Sequence, residues 1–556
     1  MKKEEKKNGM AVPVCFLITI ALLFGGFYDF VSCLATVGLG IYLLWLGKRR
    51  GLSLYWNSAL MLASVIVAGY LLSVIWAVDC GMAWIGVIKF LPLPLFVIVL
   101  MQFREEERQS LLWSVPISNL LIIGTAVLGY GIPVIREHLY LAGRLAGTFQ
   151  YANTMALYFL LGILIVEEKT DFSCRTALAI GVQLLGIFLT GSRTVFVLTI
   201  VVLIGYAWRK KKFRVWNLGI LGAGMIGGIL YAGITSDFQN LGRFITMSFE
   251  SSTFLGRLLY WQDALSLILK QPFGLGYMGY FYSQGQIQTG VYSVVYAHNE
   301  LLQILLDIGW FPAVFAVGIF LKNLLGKGVD TFSKIILAVI VVHSLFDFDF
   351  QFLSVGFLFF MMFPYERSTK QEARKLKADG RGWLLFYGVS GVCIAVSLYF
   401  FVPLLTFYVG EYEMAAKIYP YYTEAEYILL EQAASKEEGE ELSDSILSRN
   451  ATVSLAYDAK ALASAMEGKF EEMIEYKEKA IQYNPYSIRE YVDYVSLLSR
   501  GIESGEKKEL CVETLLEIPD RLKELKNRTS RLGWKIKDRP ETELPEEIQA
   551  YILQFQ

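Results

Sequence analysis

Long apolar runs separated by short polar connections occupy the first 409 residues of the chain. Runs such as "VPVCFLITIALLFGGF" and "TVFVLTIVVLIGYAW" approach the roughly 20 residues that a membrane-spanning helix needs. A β-barrel would instead show alternating segments of about 10 residues. The pattern therefore predicts an all-α, polytopic transmembrane helix bundle.

Hydropathy predicts about thirteen spans. They lie near 11–27, 31–47, 54–77, 84–102, 110–130, 152–166, 174–190, 194–208, 215–234, 298–321, 333–345, 350–363 and 383–409.

Composition agrees with a membrane protein, because 54% of the residues are hydrophobic and only 19% are charged. No two of the six cysteines have CxxC spacing, so the sequence has no zinc or redox signature of that kind. The basic, then apolar, N-terminal stretch lacks a clear small-residue cleavage site and is interpreted as an uncleaved first helix.

The charge of the connections predicts the orientation in the membrane. One alternating set is rich in Lys and Arg, and the positive-inside rule places that set and the N-terminus in the cytoplasm. Its members are 48–50, 103–108, 167–175, 208–214, 322–334 and 366–381. The loop 235–297 and the tail 410–556 are then extracytoplasmic, in a multi-pass protein of the cell membrane.

The tail, 410–556, is charged and has the periodicity of amphipathic helices. The stretch 468–487 resembles the second helix of a tetratricopeptide repeat, with Gly468 at the preceding turn, Ala480 at a small packing position and Asn484-Pro485 at the end. A plain helical bundle is the alternative. The predicted domains are thus a transmembrane bundle, 1–409, and a helical-repeat domain, 410–556.

Unusual polar residues gather at the predicted outer side. Four arginines there run against the positive-inside trend, and a guanidinium fork matches the oxygens of a phosphate. They are Arg144, Arg193, Arg243 and Arg257. Snorkelling to the interface or capping of a helix end would explain any one of them equally well. The turn "GSR" favours a fixed position for Arg193.

His298 opens the span 298–321, and a neutral imidazole can act as a general base. A histidine that caps the helix is the alternative. Asn299 and Glu300 could be first-turn residues that complement the helix dipole. His343 and Asp347 are four residues apart, which predicts one helical face and either a supporting role or a mutually satisfied pair.

The triplet Asp347-Phe348-Asp349 resembles a metal-binding DxD motif. Enzymes with that motif use nucleotide sugars, which are cytoplasmic, whereas this triplet lies on the predicted outer side. No metal site is therefore predicted.

Five strings together resemble the O-antigen ligase and polymerase family of membrane glycosyltransferases. They are "RLAGTFQYAN" at 144–153, "LTGSR" at 189–193, "GRLLYWQDALSLILKQPFGLGY" at 256–277, "AHNELLQILLDIGW" at 297–310 and "HSLFDFDFQ" at 343–351.

The resemblance implies inverting transfer of a glycan from a polyprenyl pyrophosphate at the outer face of the membrane, with no metal or other cofactor. It implies that His298 acts at the acceptor, and that Arg193 and Arg257 hold the pyrophosphate, with Arg144, Arg243 and His343 less directly matched. The repeat-like tail lies outside the family pattern.

The predicted partners are the lipid-linked donor, a glycan or cell-wall acceptor, membrane lipids and a protein bound by the tail, with no nucleic acid. Ligase and polymerase both stay open. The alternatives from other classes are a flippase for lipid-linked oligosaccharides and a non-catalytic scaffold. A transporter would be expected to carry internal repeats and ionisable residues near mid-membrane.

Overall fold

The computed structural model describes residues 2–171, 173–209, 219, 222, 226, 252–326, 328–365, 374–376 and 381–556. Apart from two short antiparallel pairs of strands, the regular elements in these ranges are helices, as expected for an all-α membrane protein. The predicted span 215–234 and the predicted ligand Arg243 lie outside the described residues.

The helices of the first half are α1 Lys2–Leu22, α2 Asp29–Arg50, α3 Ser58–Ser73, α4 Cys80–Phe90, α5 Pro92–Leu100, α6 Glu105–Leu111, α7 Ser114–Gly129, α8 Pro133–Leu139, α9 Ala152–Lys169, α10 Cys174–Thr190 and α11 Arg193–Arg209. Those of the second half are α12 Ser252–Lys270, α13 Gly279–Ile287, α14 Glu300–Ile308, α15 Trp310–Leu325, α16 Thr331–Ser344, α17 Leu353–Met361 and α18 Arg381–Tyr408.

The tail folds into α19 Tyr412–Ile418, α20 Thr423–Gln432, α21 Lys436–Arg449, α22 Ser454–Met466, α23 Phe470–Tyr483, α24 Ile488–Ser504, α25 Lys508–Arg528 and α26 Glu546–Leu553. The strands are β1 Leu52–Leu54, β2 Tyr140–Leu141, β3 Arg144–Leu145 and β4 Arg374–Leu376.

Four described helical segments are long and apolar enough to cross a membrane: Asp29–Arg50, Cys80–Leu100, Glu105–Gly129 and Gly382–Tyr408. Along the last of them, Leu384 and Leu385 are each 72% exposed. Exposed leucines on a long apolar helix suit contact with lipid rather than water. Shorter apolar helices account for further predicted spans, and the number of spans stays a prediction.

The predicted span 298–321 is not one continuous helix. Helix α14 ends at Ile308, Gly309 adopts φ 79° and ψ 176°, and α15 begins at Trp310. A side chain at Gly309 would meet the backbone of Pro272 and Phe273 at 2.5 Å, so the break is formed by close backbone packing. Apolar continuity alone misses such an interruption.

The chain forms two compact units. The first comprises 1–67, 88–248 and 314–401. Helix α9 is its centre, because residues 154–166 are buried on all sides of the helix, as expected for a helix that is hydrophobic all round. At one end of this unit, β1 pairs with β4 and joins two connections that the charge pattern assigns to the same side.

The second unit comprises 68–87, 249–313 and 402–556, so the tail belongs with the loop before His298. Asn450 donates to Asp79 at 3.0 Å, and the Tyr419 hydroxyl donates to the Gly81 carbonyl at 2.9 Å. Helices α22 and α23 pack together through the fully buried Ala480. Gly468, in the turn between them, has φ 76°. The tetratricopeptide assignment and the boundary at residue 409 stay predictions.

Candidate active site

His298 has an unusual backbone conformation. Its φ is 51°, in the left-handed region that non-glycine residues seldom adopt. The residue is half-buried and lies between a loop and helix α14. A conformation of this kind costs about 1–3 kcal/mol and persists only where the surroundings impose it.

The residues on both sides of His298 are held by side chains. The carbonyl oxygen of Ala297 accepts a hydrogen bond from the indole N–H of Trp261 at 3.0 Å. The amide of Ala297 donates to Oε1 of Gln303 at 2.9 Å. On the other side, Oδ1 of Asn299 accepts from the amide of Leu302 at 3.1 Å and caps α14. These bonds fix the main chain on both sides of His298, from which the imidazole extends.

Gln303 is itself anchored by buried polar groups. Its Nε2 donates to Oδ1 of Asp307 at 2.8 Å, and Oδ2 of Asp307 accepts from the Tyr70 hydroxyl at 2.8 Å. All three side chains are nearly inaccessible to solvent. Buried, hydrogen-bonded polar networks rigidify what they hold, so Gln303 is a firm support for the Ala297 amide.

The imidazole lies near an aromatic residue of helix α12. The Tyr260 and His298 rings have centroids 6.2 Å apart. Burial raises the pKa of Tyr260, and the positive charge of Arg257, one helical turn earlier, acts in the opposite direction. Tyr260 thus lies near His298 and interacts with Arg257, two residues that were predicted from the sequence.

Asn299 and Glu300 occupy the start of helix α14. Asn299 is the N-cap, and Glu300 is the acidic residue of the first turn. A carboxylate there complements the positive end of the helix dipole. The helix-start interpretation accounts for both residues, and a supporting role for His298 stays a prediction.

Arg193 lies at the predicted turn between two helices. Helix α10 ends at Gly191, which has φ 60°, and Arg193 is the first residue of α11. Its Nε is buried and has no hydrogen-bond partner among the described residues. A buried donor without a hydrogen-bond partner costs free energy. An anionic ligand bound at this position would supply the missing acceptor.

Arg144 is engaged within the protein. It follows the β2–β3 turn, and its Nε donates to the Thr190 carbonyl at 2.7 Å. Its Nη2 donates to Oδ1 of Asn153 at 2.7 Å, while Nδ2 of Asn153 donates to Asp347 at 2.8 Å. Arg144 therefore ties this polar cluster to the end of α10, three residues before Arg193.

The expected common helical face of His343 and Asp347 is wrong. Helix α16 ends at Ser344, so Asp347 lies beyond it and accepts hydrogen bonds from Tyr151 and Asn153 instead. Nδ1 of the fully buried His343 contacts Oδ2 of Asp349 at 2.6 Å. His343 is thus paired with Asp349 in the first unit, and its predicted supporting role stays a prediction.

The acidic residues of the DxD-like triplet have separate protein partners. Asp349 accepts from Thr154 at 2.8 Å and from Ser344 at 3.0 Å, away from the Tyr151 and Asn153 side chains that bind Asp347. Among the described residues, no group of three or more His, Cys, Asp or Glu side chains is arranged to hold a metal ion.

Sequence reasoning missed the residues that position His298. Trp261 lies within the family-like string 256–277, and Gln303 lies within 297–310, but neither carries a charge that would single it out. Tyr260, one turn after Arg257, offered a weak signal through its helical spacing.

The fold defines the class as an all-α, multi-pass membrane protein with a helical tail. Residues 177–317 match the family model described as O-Antigen ligase, which confirms the resemblance to this family over about a quarter of the 556 residues. The matched range contains Arg193, Arg257 and His298. No curated protein and no solved structure matches the chain.

The match supports a role in cell-surface polysaccharide biosynthesis. The family implies a glycosyltransferase-like activity with a lipid-linked glycan donor and a glycan acceptor. The match does not extend to the tail, and a protein partner of the tail stays a prediction.

Proposed function

We propose that the protein transfers a glycan from a polyprenyl pyrophosphate to an acceptor hydroxyl at the outer face of the cytoplasmic membrane. The observation that carries this proposal is the left-handed backbone of His298, whose ring lies near Tyr260, a residue that in turn interacts with Arg257. Strain that the surroundings hold in place is characteristic of functional positions. The family match over 177–317 supplies the reaction class.

His298 is the general base in this proposal. It takes the proton from the acceptor hydroxyl as that oxygen attacks the anomeric carbon of the donor. The new glycosidic C–O bond forms while the bond from that carbon to the pyrophosphate oxygen breaks. Attack from the opposite face inverts the anomeric centre, and the lipid pyrophosphate leaves with the bonding electron pair.

The leaving pyrophosphate is weakly basic, so it needs charge stabilisation more than a proton. Arg257 and Arg193 supply cationic donors that match its oxygens. The Nε of Arg193 has no hydrogen-bond partner among the described residues, which supports a role for Arg193 in binding the pyrophosphate. Arg144 does not bind the pyrophosphate directly in this proposal, because its guanidinium already donates to Thr190 and Asn153. Because arginines supply this stabilisation, the proposed reaction needs no metal.

Reconstitution in vesicles with a polyprenyl-pyrophosphate glycan tests the proposal. The wild-type protein should move the glycan to an acceptor, and His298→Ala should lower that rate by about 10²–10⁴-fold, as for a lost general base. His138→Ala is the matched control, because His138 is exposed and its Nδ1 contacts the Val134 carbonyl oxygen one helical turn earlier.

Three results would contradict the assignment. Glycan that crosses the bilayer without a change of linkage would identify a flippase. Glycan that is neither moved nor cleaved would favour a scaffold. Normal transfer by the surviving fraction of a poorly expressed His298→Ala protein would reduce His298 to a structural cap.

A further inference from the structure

A short segment of the tail packs directly against the loop that leads to His298. The segment, residues 528–537, will be called the tail clamp, and the loop is residues 285–297. Nη2 of Arg528 donates to the Gln286 carbonyl at 2.8 Å, and the Ser530 amide donates to the Thr289 carbonyl at 2.9 Å. Further along, the Lys537 amide donates to Oγ of Ser252 at 2.7 Å.

Thr289 is held from two directions at once. Its amide and its hydroxyl donate to the buried carboxylate of Asp263 on helix α12, at 2.9 and 2.8 Å. Its carbonyl accepts from the tail clamp through Ser530. Burial raises the pKa of Asp263, and the three hydrogen bonds from Thr289 and Tyr292 oppose that effect. The loop is therefore fixed between α12 and the tail.

Two glycines allow the close approach of the backbones. A Cβ on Gly533 would lie 2.4 Å from the Thr289 carbonyl oxygen, and a Cβ on Gly290 would lie 2.7 Å from Cα of Gly533. Both obstacles are main-chain atoms, which cannot rotate away. An alanine at position 533 must push the tail clamp away from the loop.

Packed side chains connect the contact to the imidazole. Ile536 of the tail clamp lies in one apolar cluster with Leu259 and Tyr292. The Tyr292 ring lies 4.7 Å from the Tyr260 ring, and Tyr260 is the residue that adjoins His298. The Tyr292 hydroxyl also donates to Asp263 at 3.0 Å. The path from tail to histidine is contiguous within the second unit.

We infer that the tail clamp is a positioning element for the acceptor-side histidine, so that the C-terminal domain contributes to glycan transfer itself. The inference rests on the proposed function for its catalytic consequence. In this inference residues 528–537 act on the enzyme's own loop. A tail that only recruits a partner protein would not need this contact. Gly533, Arg528 and Ser530 are positioning residues in this scheme.

The test uses the full-length protein in vesicles, with the single variants Gly533→Ala and Arg528→Ala. Amide hydrogen exchange over 285–297 should speed up by about 10-fold when a hydrogen bond or the close contact is lost. The rate constant kcat for transfer should fall by about 10- to 100-fold, as for a displaced catalytic group, while the KM for the lipid-linked donor stays unchanged. Arg528→Lys should recover most of the activity, because an ammonium can also donate to the Gln286 carbonyl.

Two control variants share the chemistry of the change but not the location. Gly439→Ala lies in α21 with open space around the new methyl group, and Arg521→Ala removes a guanidinium that pairs with Glu478 and Glu517 inside the tail. Both should leave exchange over 285–297 and kcat unchanged.

Unchanged exchange over 285–297 in both test variants would overturn the clamp. Faster exchange with a normal kcat would overturn its role in transfer. Amide exchange is measured without substrate, so failure of the clamp is distinguished from failure of the proposed function. A wild-type protein that transfers no glycan would overturn the proposed function. It would also overturn the role of the tail clamp in transfer, whatever the exchange rate of the loop.

Discussion

The indole N–H of Trp261 donates a hydrogen bond to the carbonyl oxygen of Ala297, one residue before His298. Helix α12 thereby fixes the main chain immediately ahead of the imidazole, independently of any contact to the ring itself. A residue with this contact should affect the orientation of His298 without touching the substrate.

Trp261→Phe keeps an aromatic ring and removes the donor. A net hydrogen bond contributes about 0.5–1.5 kcal/mol, so we expect kcat for glycan transfer to fall by about 2- to 10-fold. Trp310→Phe is the control, because it removes an equivalent bond to the Ile268 carbonyl at 2.9 Å. Equal losses in the two variants, measured as initial transfer rates, would indicate general destabilisation.

His298→Gly should separate strain from catalysis. Glycine adopts a φ of 51° without steric cost, so the variant should be more stable by about 1 kcal/mol and yet inactive. Thermal unfolding and transfer assays measure the two effects. Lys507→Gly relieves a similar φ of 54° in the tail and should keep full activity. A destabilised His298→Gly protein would show that the side chain has a structural role.

The variants Arg193→Lys and Arg257→Lys should not retain full transfer activity. Lysine is a point charge without the planar fork, so each variant should lose about 10- to 100-fold in kcat/KM for the donor. Arg136→Lys on the exposed helix α8 is the control. Wild-type turnover at normal expression in both test variants would leave the two arginines as snorkelling residues.

The predicted orientation can be tested with a membrane-impermeant thiol reagent on intact cells. The background protein has serine in place of the exposed Cys15 and Cys174. Glu437→Cys, at an exposed tail position, should be labelled without lysis, whereas Lys48→Cys should be labelled only after lysis. Protection of Glu437→Cys in intact cells would reverse the predicted orientation and move the loop before His298 to the cytoplasm.

The tail depends on a buried cation. Nζ of Lys477 is within 2.5 Å of Glu490 and also contacts Asp458, and the lysine side chain is 3% exposed. Lys477→Met leaves two carboxylates without their counter-ion and should lower the free energy of unfolding of the tail by about 3–5 kcal/mol. Lys479→Met removes an exposed pair with Glu475 and should change little. Similar unfolding midpoints for the two variants would contradict the prediction.

Apolar runs predicted the class of fold because they reflect the bilayer rather than tertiary detail. The turn at Gly191 before Arg193 was equally visible, since glycine and serine between two apolar runs leave few alternatives. The helix start at Asn299 also followed from local chemistry.

The rest depended on distant partners. The main chain ahead of the left-handed His298 is bound by Trp261, which is 36 residues away from Ala297 along the chain. The partner of His343 is Asp349 because α16 ends at Ser344, and spacing alone pointed to Asp347. Tertiary contacts determine both the main-chain support of His298 and the partner of His343. Periodicity in the sequence reports only on local secondary structure.

The break at Gly309 leaves main-chain groups that the neighbouring segment 272–276 must satisfy. The Leu306 and Asp307 carbonyls accept from the Leu275 and Gly276 amides at 2.7 and 3.0 Å, and the Trp310 amide donates to the Pro272 carbonyl at 2.8 Å. Unsatisfied main-chain groups are costly in lipid.

This pairing has a consequence for biogenesis. Helix α14 has nine residues and α15 has sixteen, and each is shorter than the roughly 20 residues that span a bilayer. Neither half should partition stably from the translocon into the bilayer by itself. The segment 300–325 should therefore be retained at the insertion machinery until 272–276 has docked, which makes integration of this part of the chain a concerted step.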